Sequence, residues 1–289
     1  MKRLHIYIEK EEVLQRLQGC LCDLECAGVD VCIHSLSAEQ LSGFSEKQSL
    51  IDLGLLDWKE SLYLTDIPQF ATMLAHGDYP VLAYVHEENR NESFAFVKYV
   101  IEGFEDVEAE YFYRTWQRLV GLPWHILDTK RCSIRETVVE DLEAFYEIYK
   151  EPSVTEYMES LFADRQEERA YIETYAEVVY GFYGFGMWTV VLRETGEVIG
   201  RAGISMREGF EEPELGFVIG VPWQGKGIAM EVCQGILQYA REELGFDKVQ
   251  AFVQPGNEKS EALLKKLGFL YDKKVNLPEG EHLLYFLKQ

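Results

Sequence analysis

The chain has 289 residues, 47% of which are hydrophobic, and its 50 acidic and 28 basic residues give a formal net charge of −22 at pH 7. This length suits two domains, and the composition is typical of globular proteins. The acidic excess excludes nucleic acid and anionic membranes as main partners, because both are bound through basic surfaces. It mildly favours a cationic ligand, although acidity also keeps proteins in solution.

The sequence contains no stretch near the roughly 20 apolar residues that a membrane span requires. The segment Met1–Ile8 lacks the apolar run and the small-residue cleavage site of a signal peptide. We therefore expect a cytoplasmic protein that is a monomer or a homodimer.

Residues 1–128 alternate between strand-like and helix-like segments, which predicts a small α/β domain with a mostly parallel, Rossmann-like sheet. An apolar stripe marks Glu11–Cys26 as a helix. Asp66 has the position of an N-cap ahead of a second helix, Pro68–Leu74. The predicted strands are Leu4–Ile8, Val29–Ile33, Leu62–Asp66, Val81–Val85 and Tyr99–Ile101, and a third helix is predicted over Glu108–Val120.

Four of the six cysteines crowd into this domain, as Cys20, Cys22, Cys26 and Cys32. Their spacing, CxCxxxCxxxxxC, matches no familiar zinc motif. A cytosolic chain keeps such thiols reduced, and free cysteine is among the most buried residue types. We therefore interpret the four as packing residues and predict no metal site.

A second pattern begins after the junction at Pro123–Lys130, and we place the domain boundary between residues 128 and 129. Thr137 and Glu140 have the spacing of a capping box, and Gly196 marks a tight turn. Helices are predicted at Glu167–Val179, Ile228–Leu244 and Lys259–Leu267, and strands at Trp188–Leu192, Val198–Met206, Glu214–Val221, Val249–Val253 and Leu283–Leu287.

The strand Glu214–Val221 is followed by the segment Gln224–Ala229, which reads Q-G-K-G-I-A, and then by a helix. Gly225 and Gly227 let the backbone turn tightly and approach a ligand. The N–H groups and the dipole at the helix start favour an anion such as a pyrophosphate, to which Lys226 adds a charge. An ordinary loop can also contain two glycines, and the segment lacks both the P-loop pattern and the third glycine of a Rossmann loop.

A second motif follows the strand Val249–Val253 and reads N-E-K-S-E-A-L-L-K-K-L-G-F over Asn257–Phe269. This Asn-x-x-Ser and Leu-Gly-Phe pattern and the [RQ]xxGx[GA] pattern of Gln224–Ala229 make Cys132–Gln289 resemble the GCN5-related N-acetyltransferase (GNAT) superfamily. The resemblance implies a GNAT fold with a splayed mixed sheet over residues 129–289, acetyl-coenzyme A (acetyl-CoA) as co-substrate, and an amine acceptor. The branch that includes ribosomal-protein alanine acetyltransferases is similar in three segments, namely Ile134–Glu136, Gly200–Gly203 and Glu214–Phe217.

The resemblance also implies which residues contact the cofactor. The strand Phe217–Ile219 should separate from Val249–Val253 and pair through its backbone with the pantetheine arm. The N–H of Ile219 should then hold the oxyanion that develops on the thioester. Asn257 caps its helix, bonds the cofactor, or does both. The implied cofactor-binding residues are Phe217, Val218, Ile219, Gln224, Gly225, Lys226, Gly227, Ile228, Ala229, Asn257 and Ser260.

Two positions bear on catalysis. Many family members have a tyrosine on the last helix that protonates the departing thiolate, but this chain has Leu264 there. A thiol with a pKa near ~8.5 leaves readily enough for water to serve as the proton donor. Glu214 is the candidate base that takes a proton from the acceptor amine, and the alternative is a solvated or salt-bridged carboxylate.

The segment Tyr180–Trp188 contains three glycines among aromatic residues. In the similar branch of the family this segment borders the acceptor site. Tyr183, Phe185 and Trp188 are therefore candidate acceptor-binding residues, and the alternative is that these rings belong to the core.

In the N-terminal domain, Leu64–Asp66 and Val81–Val85 faintly resemble the second half of a degenerate haloacid dehalogenase-like Rossmannoid domain. His5–Glu9 replaces the nucleophile motif of that fold, so phosphatase activity is not expected. We interpret the chain as an N-acetyltransferase that moves an acetyl group from acetyl-CoA to a primary amine, either a protein N-terminus or a small molecule, by direct attack in a ternary complex. The alternatives are a non-catalytic acyl-CoA sensor, or a protein whose N-terminal domain binds a nucleotide or a sugar phosphate.

Overall fold

The computed structural model describes residues 1–8, 11–36, 58–104 and 107–288. The chain divides into two compact units, Met1–Leu122 and Pro123–Gln289, and each unit has its own sheet and its own core. Within the described ranges, none of the helices has the length and apolarity that crossing a bilayer requires.

In the first unit, the described strands form one parallel sheet. The strands are β1 (Arg3–Tyr7), β2 (Asp30–Ile33), β3 (Ser61–Thr65), β4 (Val81–Tyr84) and β5 (Tyr99–Ile101). Their order is β2-β1-β3-β4-β5, which is an order found in doubly wound sheets. β3 and β4 are buried at every position, as strands covered on both faces are. The predicted parallel sheet is therefore present.

The helices of this unit are α1 (Glu11–Cys26), α2 (Pro68–His76) and α3 (Ala109–Val120). Apolar residues of α1 and α3 share one core with Leu4 and Ile6 of β1, whereas α2 packs with Tyr7 and Tyr63 on the other face.

Two sequence interpretations in this unit are wrong. The N-cap of α2 is Ile67 and not Asp66, and the hydroxyl of Thr65 accepts its N–H at 3.1 Å. Pro68 keeps the residue before it in an extended conformation, and Ile67 has a φ of −96° and a ψ of 106°, so the N-cap is Ile67 and Asp66 lies one residue too early. Cys22 and Cys26 lie on the exposed side of α1 and are not packing residues.

In the second unit, eight strands of the described region form a mixed sheet in the order β12-β13-β11-β10-β9-β8-β7-β6. All neighbours are antiparallel except β10 and β11. The sheet includes residues before the predicted boundary at 128/129, because β6 pairs with β7. The strands are β6 (His125–Asp128), β7 (Cys132–Arg135), β8 (Met187–Leu192), β9 (Val198–Ser205), β10 (Glu214–Ile219), β11 (Lys248–Val253), β12 (Leu270–Leu277) and β13 (Gly280–Lys288).

Helices cover both faces of this sheet, so that β10 lies between two layers. The main helices of the second unit are α4 (Leu142–Tyr149), α5 (Pro152–Thr155), α6 (Arg165–Tyr175), α7 (Ile228–Glu242) and α8 (Glu258–Leu267). Residues of α7 and α8 share the main core, and residues of α4 and α5 pack with Val218 in a second core. α6 continues into a π-helical turn and a short helix, Gly181–Tyr183.

The predicted capping box of Thr137 and Glu140 is wrong. The carboxylate of Asp141 accepts the Val138 N–H at 3.1 Å, whereas the hydroxyl of Thr137 lies 3.0 Å from that of Thr189. Thr137 is buried between the helix start and the sheet, and its hydroxyl is used in that contact.

Candidate functional site

The sheet opens between β10 and β11. These parallel neighbours are in register at one position only, Glu214 opposite Gln250. On its other edge β10 pairs with β9 at six positions, and β11 pairs with β13 at six. Each strand therefore has a continuous partner on one side and a wedge-shaped opening on the other.

Two hydrogen bonds show which backbone groups of β10 face the opening. Gly220 donates its N–H across to Ile199 of the β9 side at 2.8 Å, and Pro213 accepts an N–H from Gln250 of β11 at 2.8 Å. Because backbone groups alternate sides along a strand, residues that follow Pro213 by even steps face β11. The N–H and C=O groups of Phe217 and Ile219 therefore point into the opening.

Val218 has the opposite orientation. Its backbone pairs with Arg201 of β9, and its side chain is 7% exposed and packs in the core with Phe145 of α4. This geometry does not support the predicted contact between Val218 and the cofactor, because neither its backbone nor its side chain reaches the opening.

The opening ends at the glycine loop, residues 224–227, which leads into α7. Gly225 and Gly227 have φ angles of +72° and +76°, a region that residues with a Cβ enter only at a cost. Gly227 is the N-cap of α7, and the first intrahelical bond runs from Glu231 N–H to its carbonyl. The three preceding N–H groups of the helix have no intrahelical acceptor and can bind an anion. Ile228 is 3% exposed, so only its backbone is available to a ligand.

Side chains fix this loop to the strand before it and to the helix after it. The amide of Gln224 donates to the carbonyl of Ile219 at 2.9 Å. Arg131 donates to the carbonyl of Lys226 at 2.9 Å and forms a 2.7 Å ion pair with Glu231 of α7. Sequence reasoning missed Arg131, because 95 residues separate it from the loop and no local pattern marks it.

A basic cavity of about 290 Å³ lies beside the loop. The ammonium of Lys226 is held 4.6 Å above the Trp223 ring, so its charge stays at the cavity wall. The chain as a whole has a net charge of −22, so a cavity lined by several cationic side chains is a local exception and favours the binding of a phosphate group. The lining residues are Lys130, Arg131, Leu192, Arg193, Glu194, Trp223, Lys226 and Ile228.

The start of α8 meets the same loop. Asn257 caps the helix by accepting the Ser260 N–H at 3.2 Å, which confirms its predicted capping role. The ammonium of Lys259 lies 3.4 Å from the side-chain oxygen of Gln224, so the first turn of α8 is tied to the glycine loop. At the other end, Gly268 has a φ of +93° and Phe269 packs back into the core, as predicted. Cofactor contacts of Asn257 and Ser260 remain predictions.

Comparison with known proteins identifies the family. A model described as an acetyltransferase (GNAT) domain matches residues 131–270. An uncharacterized N-acetyltransferase p20 of Bacillus licheniformis is 30% identical over 145 residues, which are 50% of this chain and 81% of that protein. This chain belongs to the GNAT family of acetyltransferases. The chain is also similar to a ribosomal protein uS5 alanine N-acetyltransferase of Escherichia coli, 36% identical over 75 residues, which are 25% of this chain and 39% of that protein.

Solved structures include similar GNAT proteins. One is an acetyltransferase from Agrobacterium tumefaciens, with a TM-score of 0.49 and 27% identity. The match covers 56% of this chain and 94% of the Agrobacterium protein.

Leu264 stands at the position where the family resemblance implies a tyrosine. It is fully buried and belongs to the main core. Its side chain is a hydrocarbon and has no proton to donate.

Glu214 is held in an ion pair. Its carboxylate accepts from Arg207 at 2.7 and 3.4 Å, and Arg207 donates to Glu279 at 2.7 Å as well. The salt-bridged alternative for Glu214 is therefore present in the structure. The pair borders a cavity of about 490 Å³, which is lined by Ser205, Met206, Arg207, Glu208, Glu214, Leu277, Pro278 and Glu279. Three glutamates and one arginine give this cavity an acidic character.

The predicted aromatic acceptor pocket is not supported. Trp188 is fully buried and meets Tyr239 edge-on at 5.7 Å, and Phe185 is 8% exposed and packs against Phe246 at 5.4 Å. Both rings belong to the main core, because they fill space between the sheet and α7. Tyr183 is 46% exposed and does not line either cavity described above.

Proposed function

We propose that the second unit transfers an acetyl group from acetyl-CoA to a primary amine by direct attack within a ternary complex. The observation that carries this proposal is the opening between β10 and β11, which ends at the glycine loop and the start of α7. An extended pantetheine arm can pair with the exposed edge of β10 as an added strand does. The pyrophosphate then lies at the helix N-terminus, beside the basic cavity.

The reaction that this geometry supports is nucleophilic acyl transfer. The amine nitrogen attacks the thioester carbon, and the negative charge that forms on the carbonyl oxygen is stabilised by the N–H of Ile219, which faces the opening. Collapse of the tetrahedral intermediate breaks the carbon–sulfur bond and releases the thiolate, which takes its proton from water. The amine must lose one proton before attack and one afterwards, so a base has to be near.

Glu214 is the base that we propose, and the cavity of Arg207, Glu214 and Glu279 is the proposed acceptor site. Glu214 begins β10, at the position where the strands separate. Arg207 orients its carboxylate, and the acidic lining favours an acceptor that carries an additional positive charge. A polyamine or a basic protein N-terminus has this chemistry.

The assignment of Glu214 is tested by comparing Glu214→Gln with Glu279→Gln. Both variants remove one carboxylate partner of Arg207, and Glu214→Gln alone removes the proposed base. We expect Glu214→Gln to retain acetyl-CoA binding and to lower turnover about 100-fold, which is a typical contribution of a general base. We expect Glu279→Gln to change turnover by less than about tenfold. Equal losses in the two variants, measured by thiol release, would assign the effect to Arg207 instead.

We also propose that the first unit is a doubly wound, Rossmann-like domain. Its parallel sheet and its strand order support this class. Binding of a nucleotide or a sugar phosphate to this unit remains an alternative main function, and a thermal-shift screen of such ligands on the full chain tests it.

A further inference from the structure

Three metal-ligating side chains meet on one face of the sheet in the first unit. His5 on β1 and Cys32 on β2 occupy paired positions of adjacent parallel strands. His34 follows β2, and its backbone N–H donates to the carbonyl of Ile6 on β1 at 2.8 Å. The potential ligand atoms of these three side chains all lie within 4.8 Å of one another. Strand register therefore brings together residues that are distant in sequence.

The distances in this cluster are close to those of a tetrahedral zinc site. Two imidazole nitrogens at about 2.0–2.1 Å from zinc lie about 3.3 Å apart. Nδ1 of His5 lies 3.0 Å from Nε2 of His34, in a hydrogen bond that a bound zinc ion would replace. A zinc-bound thiolate sulfur lies about 3.6 Å from such nitrogens. The ligand atoms of this cluster are at most 4.8 Å apart, so the sulfur of Cys32 has to move toward the two nitrogens by about 1 Å. Rotation of a half-buried cysteine side chain covers this distance.

Neighbouring rings hold the two imidazoles in place. Tyr7 stacks on His34 with ring centroids 4.6 Å apart, and Tyr63 stacks on His5 at 5.0 Å.

We propose that His5, Cys32 and His34 bind one zinc ion, with a fourth position left for water or another small ligand. Two imidazoles and a thiolate are soft and borderline ligands that select zinc over magnesium or calcium. Three protein ligands with an open position are the arrangement of zinc sites that do chemistry, whereas structural zinc sites use four. The proposal gives the first unit a function that does not depend on acetyl transfer.

The spacing of the cysteines in the sequence gave no indication of this site. Cys20, Cys22 and Cys26 lie on α1, which packs on the opposite face of the sheet, and Cys32 alone takes part. The other two ligands are histidines from segments that no cysteine motif includes.

The test uses the untagged full chain, because a histidine tag binds the same metals. The protein is freed of metal with a chelator, kept reduced with a phosphine, and titrated with Co²⁺ and with Zn²⁺ in the absence of coenzyme A. We expect one metal ion per chain, and for Co²⁺ a tetrahedral spectrum with a thiolate-to-cobalt charge-transfer band. Cys32→Ser should abolish that band and weaken zinc binding at least tenfold. Cys26→Ser, an exposed cysteine of the same unit, is the matched control and should change neither.

His5→Gln and His34→Gln provide the second part of the test, and each should weaken zinc binding at least tenfold while the circular dichroism spectrum is retained. If a histidine variant fails to fold, Cys32→Ser still decides the question, because serine replaces cysteine with little change of volume. Substoichiometric metal binding, or equal effects of Cys32→Ser and Cys26→Ser on the cobalt spectrum, would overturn the proposal.

Discussion

Arg131 shows how one side chain holds the glycine loop. Its guanidinium bonds the carbonyl of Lys226 and the carboxylate of Glu231, and its backbone N–H also donates to Glu231 at 2.7 Å. Burial raises the pKa of Glu231, but hydrogen bonds from Thr129 and Arg131 outweigh burial and leave this pKa below its ordinary value. The carboxylate that positions the loop is therefore ionised at neutral pH.

The stability contributed by Glu231 should depend on pH. Its pKa is lower in the folded than in the unfolded chain, so the contribution is complete above the ordinary glutamate pKa of ~4.3 and is lost as pH falls through the folded value. We expect the wild type to exceed Glu231→Gln by about 1 kcal/mol in unfolding free energy near neutral pH, since Arg131 is partly exposed. Urea unfolding at a series of pH values should show the difference narrowing below about pH 4. A difference that does not change with pH contradicts this account.

Leu264 is a second residue whose environment decides its role. It is fully buried in the main core, so Leu264→Ala should destabilise the chain by about 3 kcal/mol through lost burial and an unfilled cavity. Leu264→Met keeps the volume and should cost less than about 1.5 kcal/mol. Chemical unfolding of the two variants checks this prediction, and a cost below about 1 kcal/mol for Leu264→Ala would show that the position is not core.

At the scale of elements, the parts of the site that were predictable are those that depend on residues close together in the sequence, such as turn glycines and helix caps. The glycines around Lys226 and the capping residues Asn257 and Gly268 have strong local preferences, so the loop and both ends of α8 were predicted correctly. β12 was not predicted, because it is an edge strand that is exposed at most positions and lacks apolar alternation. β6 has only four residues and begins two residues after a proline, so its sequence indicates a junction between domains and not a strand.

Contacts between distant elements could not be predicted in the same way. Arg131 contacts a loop that is 95 residues further along the chain, and Arg207 pairs with Glu279 across 72 residues of sequence. Such pairs depend on strand order, which no local pattern specifies. The family resemblance implied the opening beside β10, but the orientation of each backbone group within β10 required the register with β9.

The glycine loop should act as one element with the start of α7. Gly227→Ala places a Cβ at a φ of +76°, which costs about 1 kcal/mol and shifts the N–H groups that face the proposed pyrophosphate. Gly196→Ala is the matched control, because Gly196 has a φ of +74° in a turn between β8 and β9. Calorimetric titration with acetyl-CoA should show about tenfold weaker binding for Gly227→Ala alone. Equal affinities of the two variants exclude the loop as the pyrophosphate site.

At the scale of the whole molecule, the net charge of −22 and the acidic cavity act in the same direction. A cationic acceptor is attracted over a distance that shrinks from about 30 Å at 0.01 M salt to about 8 Å at 0.15 M. We therefore expect kcat/KM for a polyamine to fall several-fold over this range. An amine that also carries a carboxylate is the control, and its kcat/KM should change less. Equal salt dependence of the two acceptors contradicts the charge argument.

The most direct test of the central claim is an acceptor screen of the full chain with acetyl-CoA, read by mass spectrometry. The screen contains polyamines, amino sugars, peptides with free N-termini and amine-bearing antibiotics. The account predicts at least one acetylated primary amine, formed in equal amount to the coenzyme A released, and formed about 100-fold more slowly by Glu214→Gln. Tight binding of acetyl-CoA without an acetylated product from any amine would contradict it and would indicate a sensor.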